Sequence, residues 1–327
     1  MTSIAFFNNK GGVGKTTLVY HVACMLSEIG VRALAVDLDP QANLTSAFLD
    51  EPTLESLWNS DKSTILRAVE PILEGIGDIA DIDALEVRDD LYLIVGDLGL
   101  SRFEDRLSES WSKGFAGDPA ALRVTSAFHR IIQRVAEQVR AEVVLMDVGP
   151  NLGAINRASL LAANHLLIPL AADLYSLQGL RNLGPTVRKW KADWQRAIDS
   201  AEVSFSLPAG EMSPVGYVVL QHAIRLDRPV KAYRKWLDRI PSEYRKSVLG
   251  NKLPIREGHG VEDPNRLASL RNYRSLMPLA QDARKPMFDL KPADGAIGSH
   301  AQYVQTCFAE FRDLTKEILR RMQTSSR

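Results

Sequence analysis

The chain has 327 residues, and its 40 lysines and arginines are matched by 40 aspartates and glutamates. A neutral molecule has no global attraction to nucleic acid or anionic lipid, so any such binding requires a local patch. The two cysteines, Cys24 and Cys307, lie far apart without CxxC spacing or a His-rich neighbourhood, which argues against zinc and for inert thiols in a reducing cytosol.

In chain order, Ser3 to Phe7 is a short apolar run that predicts a buried strand. A Gly-rich loop follows, then TTLVYHVACMLSEIG, whose apolar residues recur at helical spacing and stop at Gly30. Further apolar runs are RALAVDLD (32–39), LYLIVGD (91–97), EVVLMDVG (142–149), HLLIPL (165–170) and VGYVVLQ (215–221), with helix-like stretches such as VTSAFHRIIQRVAEQV between them. Strands apolar on both faces, alternating with amphipathic helices, predict an α/β fold: a mostly parallel twisted sheet covered by helices on both faces. The N-terminal apolar run is too short for a signal peptide, and LLAANHLLIPLAA is broken by Asn164, His165 and Pro169, so a cytoplasmic protein without a membrane span is expected.

No repeat or low-complexity linker divides the chain, which predicts one domain over residues 1–327 with two elaborations. The acidic stretch EGIGDIADIDALEVRDD (74–90) is expected to be a solvated connection. The segment from Arg225 to Arg256 is basic, with Arg225, Arg228, Lys231, Arg234, Lys235, Arg239, Arg245, Lys246, Lys252 and Arg256 against Asp227, Asp238 and Glu243.

Parallel sheets bind ligands at the carboxyl ends of their strands. Here those ends carry the glycine loop, Asp37 with Asp39, and Asp147. The loop fits the phosphate-binding pattern G-x-x-x-x-G-K-[ST] except that Asn9 stands at the first glycine position. Its mechanics survive this change. Gly11, Gly12 and Gly14, with Val13 between them, let backbone N–H groups turn toward phosphates. Lys15 can reach the β and γ oxygens, and the hydroxyl of Thr16, followed by Thr17, can ligate Mg²⁺ at the helix N-terminus.

KGGVGKTT, with a lysine opening the loop, resembles the deviant Walker A signature of the ParA/MinD ATPases. VDLDPQANLT (36–45) is similar to the second motif of that family, and VVLMDVGPNLG (143–153) to its Walker B and switch segment. IPLAADLYSLQGLRNL (168–183) resembles the stretch that follows in partition ATPases, and a weaker likeness runs from KPMF to AQYVQTCFAEF. The resemblance implies a P-loop ATPase using ATP and Mg²⁺, in which Asp37 supports the metal site, Asp39 orients the attacking water and Asp147 holds Mg²⁺ through a water. It also implies a nucleotide-sandwich homodimer in which Lys10 reaches the phosphates of the partner's ATP. The chain departs from the family at its switch, which often reads DTPP and here reads Asp147-Val148-Gly149-Pro150 followed by Asn151. Gln221 is a weak candidate for the adenine site.

For a partition-type ATPase the resemblance implies non-specific DNA binding by the ATP dimer, a nucleoid-associated location and a ParB-like stimulating partner. The loop starts within the first dozen residues, so no N-terminal helix-turn-helix domain is expected. AYRKWLDRIPSEYRKSVL supplies DNA-binding candidates Arg234, Lys235, Arg239, Arg245 and Lys246, interleaved with Tyr233, Trp236 and Tyr244; the alternative is a surface helix with inward aromatics and solvated charges. A membrane-cycling ATPase similar to MinD is the second reading, and would need a detachable basic amphipathic helix at the C-terminus. Phe308, Phe311, Leu314, Ile318 and Met322 do share one stripe there, but they run on from the last core element and are read as core. A metabolic enzyme or cluster carrier is a third reading, for which the two cysteines do not fit.

Overall fold

The strand-helix alternation read from the sequence is realised in the computed structural model, which describes residues 1–59, 64–220, 231–251, 263–273 and 275–325. Gln221, Arg225, Arg228, Lys252 and Arg256 lie outside the described residues. β1 (Thr2–Phe6) leads through the glycine loop into α1 (Lys15–Glu28) and β2 (Ala33–Asp37). Three helices follow, α2 (Asn43–Phe48), α3 (Glu51–Trp58) and α4 (Ile65–Glu74), then the hairpin of β3 (Leu85–Arg88) and β4 (Leu91–Ile94). α5 (Phe103–Gly114), α6 (Pro119–Thr125) and α7 (Ala127–Gln138) precede β5 (Val143–Asp147). α8 (Ala154–Leu161), β6 (His165–Ala171), α9 (Leu174–Asp199) and β7 (Ser213–Leu220) continue the alternation. The basic segment folds as α10 (Lys231–Leu237), α11 (Ile240–Glu243) and a π-turn over Tyr244–Val248, before β8 (Arg266–Leu270), α12 (Met277–Ala283) and α13 (Ser299–Ser325).

The eight strands form one sheet in the order β3-β4-β2-β5-β1-β6-β7-β8, parallel except for β3 against β4. Alternation along β1 and just past it shows why these strands are apolar throughout. Ile4 and Phe6 enter the layer formed with α1 and α13, while Ala5 and Phe7 enter the opposite layer of α4, α5, α7, α8 and α9. All four are fully buried. The C-terminal stripe is core as read: Phe311, Leu314, Ile318 and Met322 of α13 are buried in the layer that contains α1.

Pro169 sits inside β6, between two neighbours, where a proline would ordinarily break a ladder. β1 ends at Phe6, opposite Leu167, so no strand stands beside Pro169 on that side. Its carbonyl accepts instead from Asn8 Nδ2 at 2.6 Å, which ties the start of the glycine loop to β6.

The acidic stretch 74–90, expected as a solvated connection, is exposed over much of its length but pinned at several points. Ile82 is buried, and Leu85–Arg88 pairs with β4 as the antiparallel edge strand. Asp78 accepts from Arg130 at 2.8 and 2.9 Å and pairs with Arg123, while Asp81 pairs with Arg134. Arginines of α6 and α7 supply the counter-charges, and Asp78, held by the buried Arg130, docks the segment onto the helical layer.

Candidate nucleotide-binding site

Sheet register gathers the chemistry at one edge. Asp147, the last residue of central β5, lies opposite Phe6 of β1 on one side and Asp37 of β2 on the other. The glycine loop, the Asp37–Asp39 turn and Asp147 therefore meet at the carboxyl ends of three adjacent strands.

Gly12 and Gly14 have φ of 71° and 84°, a left-handed conformation that side chains resist. Gly14 is also the N-cap of α1 and offers no side-chain acceptor, which leaves the first N–H groups of the helix for an anion in the cleft. Lys15, the first residue of α1, is buried and its ammonium pairs with the Asp147 carboxylate. Thr16 Oγ1 donates to the other oxygen of that carboxylate at 2.7 Å. Burial pushes the Asp147 carboxyl up from its ordinary pKa, and the Lys15 charge works against that rise.

Asp37 is fully buried, and Thr45 donates to its Oδ2 from both backbone and hydroxyl at 2.8 Å. Burial, then the nearby Asp147 charge, raises its pKa to about 7. A Cβ at Gly96 would stand 2.8 Å from the Asp37 carboxyl carbon, so a glycine is what leaves room for this group. Asp39 lines the open cleft, and its Oδ1 accepts from the Gln41 N–H at 3.0 Å.

Lys10 lies at the mouth of the same cleft. Its N–H donates to Asn8 Oδ1 at 3.0 Å, and its ammonium pairs with Asp173, the N-cap residue of α9. The Tyr175 ring lies 5.7 Å from that ammonium and is 71% exposed. α9 comes close to the loop at Gly179, where a Cβ would stand 2.8 Å from Asn9 Oδ1.

The cleft has a volume of about 600 Å³ and is bounded by the loop from Lys10 to Thr17, Tyr20, Asp39, Pro150 and the α12 residues Met277, Ala280 and Gln281. A second cleft of about 160 Å³ adjoins it at Gly14, Thr17 and Met277, with apolar walls from Leu220, Leu270, Tyr273 and Phe311. Among the described residues no three His, Cys, Asp or Glu side chains form a metal cage. Thr16 and Asp147 instead offer one hydroxyl and one carboxylate, a donor set that suits Mg²⁺ when phosphates and waters complete its shell.

The basic elaboration lies apart from this cleft and divides into two kinds of residue. Arg234, Lys235, Arg239 and Lys246 are exposed, with Lys235 and Arg239 over the half-buried Trp236 at 5.5 and 5.1 Å from its ring centroid. Arg245 is tied to Asp263 at 3.1 Å, and Tyr244 is fully buried against Tyr217. Glu243 accepts from Arg181 of α9 at 2.8 and 2.9 Å, which fixes the unit to that helix.

Sequence reasoning missed Thr45, Asp173, Glu104 and Asn156 as members of this neighbourhood. Glu104 of α5 accepts from the first two N–H groups of α8, at Ala154 and Ile155. The N-cap of α8 is Gly153, which has no side chain to do this, and that was the one signal that a distant cap was required. Both cysteines are free and buried, with burial pushing the Cys24 thiol up to about 12. No described helix is long and apolar enough to cross a membrane.

Residues 1–200 match the family AAA_31, described as AAA domain. The sporulation initiation inhibitor protein Soj of Bacillus subtilis is 30% identical over 185 residues, covering 57% of this chain and 64% of that protein. The chromosome-partitioning ATPase Soj of Thermus thermophilus is 32% identical over 192 residues, 58% of this chain and 62% of that one. The matched stretch thus spans less than two thirds of the length of these relatives. A solved plasmid partition protein from Borrelia burgdorferi shares the fold, with a TM-score of 0.58 at 18% identity over 98% of this chain and 99% of the other. Protein DIP2308 of Corynebacterium diphtheriae superposes with a TM-score of 0.70 at 26% identity over 87% and 97%. Fold and loop agree with the family match, and the chain belongs to the AAA_31 family of AAA domains, with a phosphate loop of the ParA/MinD type.

Proposed function

We propose that the protein is an ATP-dependent dimerising switch of the ParA type, built as one P-loop ATPase domain, which binds DNA without sequence preference as the ATP dimer. Hydrolysis of ATP to ADP and phosphate resets the dimer and so segregates or positions a DNA-linked cargo, with a ParB-like partner stimulating the step in the cytoplasm, on the nucleoid. The unequal anchoring of the two lysines is the observation that supports this reading. Lys15 is buried against buried Asp147, whereas Lys10 is held at the rim by a carboxylate that is itself about one third exposed. A rim lysine can leave such a partner and reach a nucleotide presented by a facing copy.

In this reading Lys15 and the N–H groups of the loop bind the phosphates, and Thr16 and Asp147 would hold Mg²⁺. Asp37 acts behind them, keeping Asp147 and the Thr45 loop in register. The metal supplies charge neutralisation on the phosphate oxygens. Asp39 accepts a hydrogen bond from the water that attacks the γ-phosphorus, and ADP leaves with the electron pair of the broken P–O bond. The small apolar cleft beside Thr17 and Met277 suits the adenine ring.

Arg234, Lys235, Arg239 and Lys246 are the DNA candidates with exposed charge, and dimerisation doubles them; Arg245 contributes less because Asp263 neutralises it. The test is retention on random-sequence duplex DNA, expected only with ATP and weakening steeply with salt. Asp39→Ala is expected to accumulate the ATP dimer in size-exclusion chromatography. DNA retention that ignores ATP, or an Asp39→Ala protein that stays monomeric with ATP, overturns the reading.

A further inference from the structure

The switch segment after Asp147 carries Gly149 where the DTPP pattern has the first of its two prolines, so the backbone lacks one restraint on its conformation. The structure supplies another. Asn156, buried in the first turn of α8, grips the loop with its whole amide. Its Oδ1 accepts from the Gly149 N–H at 3.0 Å, and its Nδ2 donates to the carbonyls of Gly149 at 2.8 Å and Asn151 at 2.7 Å. Two acceptors facing one atom and a donor facing the other fix which end of the amide is which. A proline at 149 would have no N–H to give, so Gly149 and Asn156 work as a pair.

What this grip holds is the part of the loop nearest the chemistry. A Cβ at Gly149 would lie 3.4 Å from Asp39 Oδ1, and one at Gly11 would lie 4.0 Å from Pro150 Cγ. The loop thus lies beside both the Asp39 turn and the phosphate loop, and Pro150 shares their cleft. Val148 anchors the start of the loop in the core, whereas Asn151 at its end borders an open cleft of about 460 Å³ with Pro40, Glu104 and Asn156, so hydrogen bonds add to packing in fixing the loop. Asn156 is held in turn by Glu104, whose two carboxylate oxygens accept from Ala154 N–H at 2.5 Å and Ile155 N–H at 2.9 Å.

We propose that Asn156 is a positioning residue for hydrolysis: its amide sets Gly149 and the Val148–Asn151 loop against Asp39 and the phosphate loop, and Glu104 of α5 anchors the helix that presents it. The inference rests on the ATPase reading above and deepens it. Asn156 does not line the nucleotide cleft, so its loss should act on the rate of the chemical step and not on nucleotide binding.

The test uses the full chain with steady-state ATP hydrolysis and amide hydrogen exchange. Asn156→Ala is expected to lower kcat by about tenfold or more with KM for ATP within about twofold of wild type. In the same protein the Gly149 amide should exchange about tenfold faster, while amides of α1 keep their rates. Glu104→Gln retains one acceptor and is expected to show the same two effects at about a third of the size or less, which covers the case of an unstable Asn156→Ala protein. Unchanged kcat overturns the proposal, as does a parallel change in KM accompanied by faster exchange throughout the chain, because that marks a general structural defect. A Gly149 amide exchanging at the wild-type rate in both variants overturns the brace regardless of activity. A wild-type protein that does not hydrolyse ATP overturns the ATPase reading and the kinetic role together, with the brace itself still decided by exchange.

Discussion

Gly184 of α9 packs against the backbone of Ser247 so closely that a Cβ on residue 184 would stand 1.8 Å from the Ser247 carbonyl oxygen. Arg188, one turn further along α9, donates to the carbonyls of both Ser247 and Val248. The basic elaboration is therefore bolted to α9 through main chain.

Helix propensity alone would make Gly184→Ala stabilising by about 1 kcal/mol. Main-chain atoms cannot swing aside as a side-chain tip can, so the contact decides the sign. Gly184→Ala is expected to cost about 2 kcal/mol or more in urea unfolding, and to weaken DNA retention if α10 and α11 carry it. The nucleotide loop meets α9 at Asp173 and Gly179, before Gly184 in the helix, and ATP binding should stay within about twofold of wild type.

Lys10 and Asp173 are about 28% and 34% exposed, which makes theirs a weak ion pair, worth up to about 1 kcal/mol. Asp173→Asn keeps an acceptor for the Ser176 N–H that caps α9 and removes the charge that holds Lys10. ATP-dependent dimerisation should then set in at a protein concentration about two- to fivefold lower, read by analytical ultracentrifugation. Lys10→Ala should retain ATP binding by the monomer and lose about a hundredfold in hydrolysis. Equal activity in that variant would sink the sandwich model.

Lys15→Ala leaves the buried Asp147 without its cation. Nucleotide binding should be lost, and the nucleotide-free protein should be destabilised by about 3 kcal/mol at neutral pH. Burial already raises the Asp147 pKa, so the carboxyl can escape this cost by taking up a proton. The deficit relative to wild type should therefore shrink as pH falls, which a set of urea titrations would show.

His21 sits fully inside the protein, with one ring nitrogen donating to the Thr17 carbonyl and the other accepting from the Met287 N–H. Burial lowers its pKa to about 4. Unfolded, it binds a proton from about pH 6.5, whereas the native state does not until about pH 4, so the unfolded state holds more protons across that window. Stability must fall as pH drops through it, by about 3 kcal/mol at pH 4 from this group. His21→Gln should flatten the difference between unfolding midpoints at pH 7 and pH 4.5, and an unchanged pH slope would refute the assignment.

The strands that build the site were legible because both their faces are buried, as in Ile4 to Phe7 and Val143 to Asp147, and because glycine and acid mark their ends. Edge strands were not. β3 is only half-buried and β8 reads Arg-Leu-Ala-Ser-Leu, so neither gives a continuous apolar signal. Asp78 looked fully solvated because its partners Arg123 and Arg130 lie 45 and 52 residues away on other helices. Asp173 is 163 residues from Lys10 and Glu104 is 50 from Ala154, distances at which no local pattern operates. Asn156 stood in plain view seven residues after Gly149, but its use depends on a loop geometry that spacing does not encode.

β3 also closes one edge of the sheet. A parallel sheet that ended at β4 would offer a row of unpaired N–H and C=O groups to any strand that approached it. Four antiparallel residues cover that row, and their own outer edge carries Glu86 and an Arg88 clamped to Glu28 and Asp289. Growth of the sheet from molecule to molecule is blocked on this side. The sandwich proposed above uses a different approach, along the strand axis and over the strand ends where the phosphate loop lies, so that assembly in that reading answers to what the loop holds.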